Sequence, residues 1–332
     1  MKAIFLCERS RVKSVYGEDT VALLKEKAGL CTEVINKAAL AEHPERFCDT
    51  EIVFSTWGMP RMTEEEIKSY LPKLKAVFYA AGTVQAFARP FLNCGVKVFS
   101  AWAANAVPVA EYTVAQIILA NKGFFRSSAL MSVGKTAEAK KAMENIGGNM
   151  DQAVGIIGAG MIGKLVIKML KAYRLDVLVF DPFLSDGSAS ELGVEKCSLE
   201  RLFASCSVVS NHLANNAQTK GMLCGRLFEL MPQNGTFLNT GRGAQVVESE
   251  LIEVLKRRPD LTAILDVTAP EPPVENSEFF KLDNCILTPH IAGSLGNEVR
   301  RMSEYMAEEY LLFAEGKPCK YEVTEKMLET MA

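Results

Sequence analysis

The chain is predicted to be an α/β protein of two domains, each a doubly wound, mostly parallel sheet covered by helices. Three observations carry this. Short β-like runs alternate with helical stretches along most of the sequence, the pattern of a parallel sheet. Gly158, Gly160 and Gly163 in VGIIGAGMIGKL (154–165) have GxGxxG spacing between an apolar run and a helical stripe. Finally, 332 residues exceed one ordinary core.

Taken in order, the first hundred residues contain strand-like KAIFLC, TEVIN, EIVFST, LKAVFYA and VKVFS, with helical DTVALLKEKAG and TEEEIKSYLPKL between them. The most apolar window, 101–120, holds Asn105, Pro108, Glu111 and Gln116. A carboxylate in mid-bilayer is costly, so this is read as a buried or interface helix and no membrane partner is expected. Its 107–120 portion is apolar on most faces and suits a homodimer interface. Residues 121–151 turn polar and glycine-punctuated, a surface helix and a loop. A second alternation begins at Gln152, with six parallel strands expected in QAVGIIG, DVLVFD, VVSNHL, GTFLNT, TAILDV and CILTPH. After Ile291 comes helical RRMSEYMAEEYLLFAEG. If that tail returns to the first lobe, a cofactor domain of 103–290 is flanked by a substrate domain of 1–102 with 291–332. With the chain ending soon afterwards, no appended regulatory domain is expected.

Composition bounds the partners. Apolar residues are 48% and charged residues 23%, with a net charge of −3 and no Lys/Arg block, which argues against nucleic acid or anionic membranes and for a small molecule. Nine cysteines include no CxxC pair and no histidine at ligand spacing, so reduced thiols, no metal and a cytoplasmic location are expected. The start, Lys2 then AIFLC before Glu8, is too short for a secretory segment.

The glycine loop gains weight from its surroundings. AVGIIG is a continuous apolar strand, and Ile162, Val166, Met169, Leu170 and Tyr173 form the stripe of a helix after it. A strand-to-helix turn of this kind offers amides and a helix dipole to a pyrophosphate. The next strand ends in Asp181, near the spacing for a carboxylate that accepts from the adenosine ribose; its charge repels a 2′-phosphate, favouring NAD over NADP.

Open α/β sheets bind ligands beyond the carboxyl ends of their strands. Three such ends deliver Arg242 after GTFLNT, Glu271 after AILDV and His290 after CILTP. An arginine fork suits a substrate carboxylate and polarises a neighbouring carbonyl. A histidine exchanges a proton with an alkoxide or alcohol, and a glutamate beside it holds its orientation and favours its charged form. Together they describe hydride transfer between NAD and a 2-hydroxy acid.

The stretches VGIIGAGMIG, FDP at Asp181, NHLANNAQTKGML, LNTGRGAQVVESELIEVL, LDVTAPEPP and LTPHIAGS resemble the D-isomer-specific 2-hydroxyacid dehydrogenases, in register from about Lys75 to about Tyr310. The resemblance implies a Rossmann cofactor domain and a flavodoxin-like substrate domain. It implies Arg242 as substrate-binding arginine, Glu271 as partner of the histidine and His290 as acid/base. By the same resemblance, amides around Ala81 and Gly82 hold the substrate carboxylate and Asp266 faces the nicotinamide amide. Met161 and Ile162 lie along the pyrophosphate, Thr240 and Gly241 line the nicotinamide side, Gly293 adjoins the cofactor, and His212 is architectural around it. The chain departs from the family with NIGGNMDQAVG before the glycine loop and Ala214 where a proline is usual. Phosphoglycerate, glyoxylate and hydroxypyruvate activities all fit the family. A corepressor-like NAD-sensing scaffold is opposed by the intact Arg, Glu and His, and a formate-type enzyme by Glu271 in place of a glutamine. Trp57 and Asn105 are open between packing, hinge or capping and substrate contact, and His43 is a surface residue.

Overall fold

Strands that are apolar along their whole length need cover on both faces, and parallel pairing under helices supplies it. In a computed structural model describing residues 2–329 the chain divides into two units: residues up to Asn105 with those from Ser294 onward, and Ala106–Gly293.

The first unit contains β1 (Ala3–Leu6), β2 (Leu30–Ile35), β3 (Ile52–Ser55), β4 (Ala76–Tyr79) and β5 (Lys97–Ser100), all paired in parallel. Strands β1, β3 and β4 are buried at every residue, as their unbroken apolar runs require. Helix Val299–Ala314 brings the chain's tail back onto this sheet, where Tyr310 stands edge-on to Phe54 and Phe78 at 5.4 and 5.6 Å.

In the second unit the strands are β6 (Met150–Ile157), β7 (Arg174–Phe180), β8 (Glu195–Lys196), β9 (Val208–Asn211), β10 (Thr236–Asn239), β11 (Thr262–Leu265) and β12 (Cys285–Leu287). Their order is β12-β11-β10-β9-β6-β7-β8, with every pair parallel. The order reverses between β6 and β9, the position where doubly wound sheets open a ligand crevice.

Three expectations are corrected. The second sheet has seven strands, not six, because two-residue β8 adds an edge too short to show periodicity. The first sheet gains β13 (Glu322–Val323), antiparallel to β5. Residues 121–151 hold two helices, Phe124–Ser132 and Thr136–Met143, instead of one.

Helix Trp102–Ala120 is long and apolar enough to cross a membrane, and 56% of its most apolar window is buried inside the fold. Ala110, Ile117 and Ala120 join the core formed by β6 and the helix Met161–Leu170, so much of its apolar surface is used within the chain. That glycine-loop helix buries Val166, Ile167 and Leu170 on its sheet side, worth about 1.5–3 kcal/mol each.

Candidate active site

Each glycine of the loop answers a different demand. Gly158 sits at φ 92, and a Cβ there would lie 2.9 Å from the His212 carbonyl oxygen. At Gly163 a Cβ would fall 2.0 Å from the Gly158 oxygen, so this glycine lets the helix approach the strand end. Gly160 is ordinary in conformation, φ −71, and nothing lies within 4 Å of where its Cβ would stand. The helix starts at Met161, which is 46% exposed, with Ile162 half-buried beside it. Open space over a bare backbone at a helix N-terminus fits a pyrophosphate.

Asp181, just past β7, adjoins this cradle. One carboxylate oxygen accepts from the Ala159 amide at 2.7 Å and the other from the Phe183 amide at 2.7 Å. It therefore ties β7 to the glycine loop, and each oxygen keeps lone-pair capacity for a ribose hydroxyl. The residues fit a dinucleotide.

Beyond β9, His212 is buried, with Nε2 2.9 Å from Ser210 Oγ and Nδ1 3.3 Å from Thr240 Oγ1. Burial pushes its pKa down to about 3, so it is a neutral packing imidazole. Beyond β10, Gly241 and Gly243 bracket Arg242. A Cβ at Gly243 would stand 2.0 Å from the Thr268 carbonyl carbon, which presses the arginine turn against the backbone leading to Glu271. Arg242 Nη1 donates to the Gly241 carbonyl at 2.7 Å. Burial draws its pKa down, and the Glu271 charge draws it back up.

Beyond β11 and β12, the structure joins two residues 19 positions apart: Glu271 Oε1 lies 2.5 Å from His290 Nδ1. An ionised carboxylate only accepts, so Nδ1 carries the proton and Nε2 is left for another partner. The two side chains are 45% and 39% exposed, and exposed ion pairs contribute only about 0–1 kcal/mol. Orienting the imidazole accounts for this pair better than stability does.

His290 is held at φ 55, a left-handed conformation unusual for a side-chain-bearing residue. Asp266 supplies the restraint. Its carbonyl accepts from His290 N at 3.0 Å. Its carboxylate accepts from Thr288 Oγ1 at 2.6 Å and from the amides of Ile291 and Ala292 at 2.8 and 2.9 Å. At 2% exposure the Asp266 carboxylate is turned into the histidine loop. Gly293 closes the unit one residue later. Glu248, which sequence reasoning passed over, accepts from Ala269 N at 2.7 Å and so steadies the approach to Glu271.

In the first unit the Ala81 amide donates to the Tyr79 carbonyl at 2.9 Å. Asn105 Oδ1 accepts from Ser294 N at 3.0 Å, a structural tie. Among the described residues no group of three or more His, Cys, Asp or Glu could hold a metal.

Comparison with known proteins adds the following. Residues 114–292 match the family described as D-isomer specific 2-hydroxyacid dehydrogenase, NAD binding domain. A D-3-phosphoglycerate dehydrogenase of Archaeoglobus fulgidus is 31% identical over 71% of this chain and 44% of its own length. A glyoxylate reductase of Korarchaeum cryptofilum is 27% identical over 82% of both chains. This chain spans 44%, 58% and 42% of three curated relatives that it matches. Among solved structures, a D-mandelate dehydrogenase of Rhodotorula graminis superposes with TM-score 0.81 at 20% identity, covering 98% of this chain and 97% of that one. A phosphoglycerate oxidoreductase of Rhizobium etli does so with TM-score 0.82 at 19%, covering 98% and 99%. At those identities the structures speak to the fold.

Proposed function

We infer the reaction from one premise: this chain belongs to the D-isomer specific 2-hydroxyacid dehydrogenase family, and residues 114–292 are its NAD-binding domain. On that premise the protein is an NAD-dependent oxidoreductase that interconverts a 2-keto acid and a D-2-hydroxy acid. The observation that carries the chemistry is the Glu271–His290 hydrogen bond, formed at the strand ends of the sheet whose first loop is the glycine cradle.

When bound, the nicotinamide supplies the hydride that reduces the carbonyl carbon, or accepts it in reverse. His290 Nε2 gives its proton to the carbonyl oxygen as negative charge develops there, and takes one back in oxidation. Glu271 holds Nδ1 and offsets the imidazolium charge, while Arg242 pairs with the substrate carboxylate and polarises the carbonyl. The amides following Gly160 take the pyrophosphate and Asp181 the adenosine ribose. The amides around Ala81 and Gly82 are the backbone candidates for the substrate carboxylate. Thr240, Gly241, His212 and Gly293 shape the nicotinamide side.

A cytoplasmic homodimer is part of the same proposal, the dimer supported by exposed Phe124 and Met131 on the helix Phe124–Ser132 and exposed Val133 directly after it. The test is NADH absorbance with a panel containing glyoxylate, hydroxypyruvate, its 3-phosphate and longer 2-keto acids. NADH loss with at least one, yielding the D product, is expected. Tight NADH binding with no oxidation by any keto acid would replace the enzyme by an NAD-binding scaffold.

A further inference from the structure

The turn that presents Arg242 rests on three side-chain amides that the reaction itself does not use. Asn211 ends β9, Asn239 ends β10 and Gln245 lies just past the turn, and all three are wholly buried. Gln245 Oε1 accepts from the Arg242 amide at 3.1 Å and from Asn211 Nδ2 at 2.6 Å. Asn239 Oδ1 accepts from the Gly241 amide and from Asn211 Nδ2, both at 3.0 Å, and its Nδ2 donates to the Arg242 carbonyl at 3.2 Å. Asn211 Oδ1 accepts from Leu213 N at 3.2 Å, while Gln245 Nε2 donates to the carbonyls of Leu213 and Ala214 at 2.7 and 3.0 Å. Every nitrogen and oxygen of the three amides is engaged. The turn lies directly on them, since a Cβ at Gly241 would stand 2.7 Å from Gln245 Oε1 and 2.9 Å from Asn211 Nδ2.

Stability alone does not call for this arrangement. Replacing all partners of a buried hydrogen-bonded set by apolar groups of similar shape is often nearly neutral. Direction is what apolar packing lacks. The amides fix both the N–H and the C=O of Arg242, and these set where its side chain leaves the backbone.

We propose that Gln245 and Asn211 are positioning residues for Arg242, and that through Leu213 and Ala214 they register the arginine turn against the loop after His212. The proposal rests on Arg242 binding the substrate carboxylate. Gln245→Leu removes the acceptor from the Arg242 amide, whereas Gln245→Glu, its carboxyl held protonated by full burial, keeps an oxygen there and an O–H for the Leu213 and Ala214 carbonyls. The Leu variant should raise KM for the best 2-keto acid about ten-fold or more, the scale of one lost hydrogen bond, with NADH Kd within about two-fold of wild type. The Glu variant should stay within about three-fold, and Asn211→Leu, which removes only the brace, should fall between. Amide hydrogen exchange at Arg242 should quicken in Gln245→Leu and not in Gln245→Glu. A merely structural role would lower the melting temperature and the active fraction with KM unchanged. Unchanged KM in Gln245→Leu, or unchanged exchange at Arg242, overturns the positioning role. If wild type reduces no keto acid, the proposed reaction falls, and exchange at Arg242 alone decides whether the amides hold the turn.

Discussion

Gly160→Ala tests whether the glycine loop is shaped for a ligand or for its own folding. The backbone at φ −71 and ψ −159 is open to alanine, and the new methyl group meets no protein atom within 4 Å. Alanine is a poorer helix N-cap than glycine but restricts the unfolded chain more, so the two effects offset. Stability should change by about 0.5 kcal/mol or less, about 1–2 °C in melting for a unit of this size. A pyrophosphate drawn to the helix amides must occupy the space that the methyl fills. Such overpacking costs about 1–3 kcal/mol, which is about 5- to 150-fold in NADH Kd. Gly163→Ala is the contrast, because its Cβ would stand 2.0 Å from a backbone oxygen that cannot yield without moving the turn. It should lower the melting temperature by several degrees, the loss for about 1–3 kcal/mol. Fluorescence titration of NADH and a thermal melt on each variant decide the matter. If Gly160→Ala binds NADH within about two-fold of wild type at unchanged stability, no phosphate sits over the loop and the fit argued here is wrong.

Other outcomes follow from the same geometry. Asp181→Ala strips an acceptor from the Ala159 and Phe183 amides and should both weaken NADH about ten-fold and narrow the NADH-over-NADPH preference; equally strict discrimination would move ribose recognition elsewhere. His212, with its pKa pushed down to about 3, binds a proton near pH 6.5 only when unfolded. Its contribution is therefore complete above about pH 6.5 and declines as pH falls toward 3, by about 1.4 kcal/mol per pH unit. The stability difference between wild type and His212→Asn should shrink over that window, and a pH-independent difference would show that the imidazole is not buried neutral.

The local features were legible because their causes are local. A strand, a bare turn and an amphipathic helix lie consecutively around Gly158–Gly163, so the cradle is visible in twelve letters. Arg242, Glu271 and His290 announce themselves as polar groups just past apolar strands. The Glu271–His290 bond was only an expectation in the sequence, because it depends on how two loops 19 positions apart curl back. Strands β8 and β13, two residues each, are too short for any period. Asp266 shows the limit most clearly. Its position marks it as polar at a strand end, but the path of residues 288–292 decides that its oxygens face the histidine loop. The Asn211–Gln245 contact spans 34 positions; its trace in the sequence is an asparagine closing the apolar run VVS.

The central claim is that His290 exchanges the proton while other groups hold the cofactor. Turnover and NADH affinity measured on one preparation of His290→Ala test it most directly. The account predicts turnover lower by about 10²–10⁴-fold with NADH Kd unchanged. Wild-type turnover in that variant would contradict it.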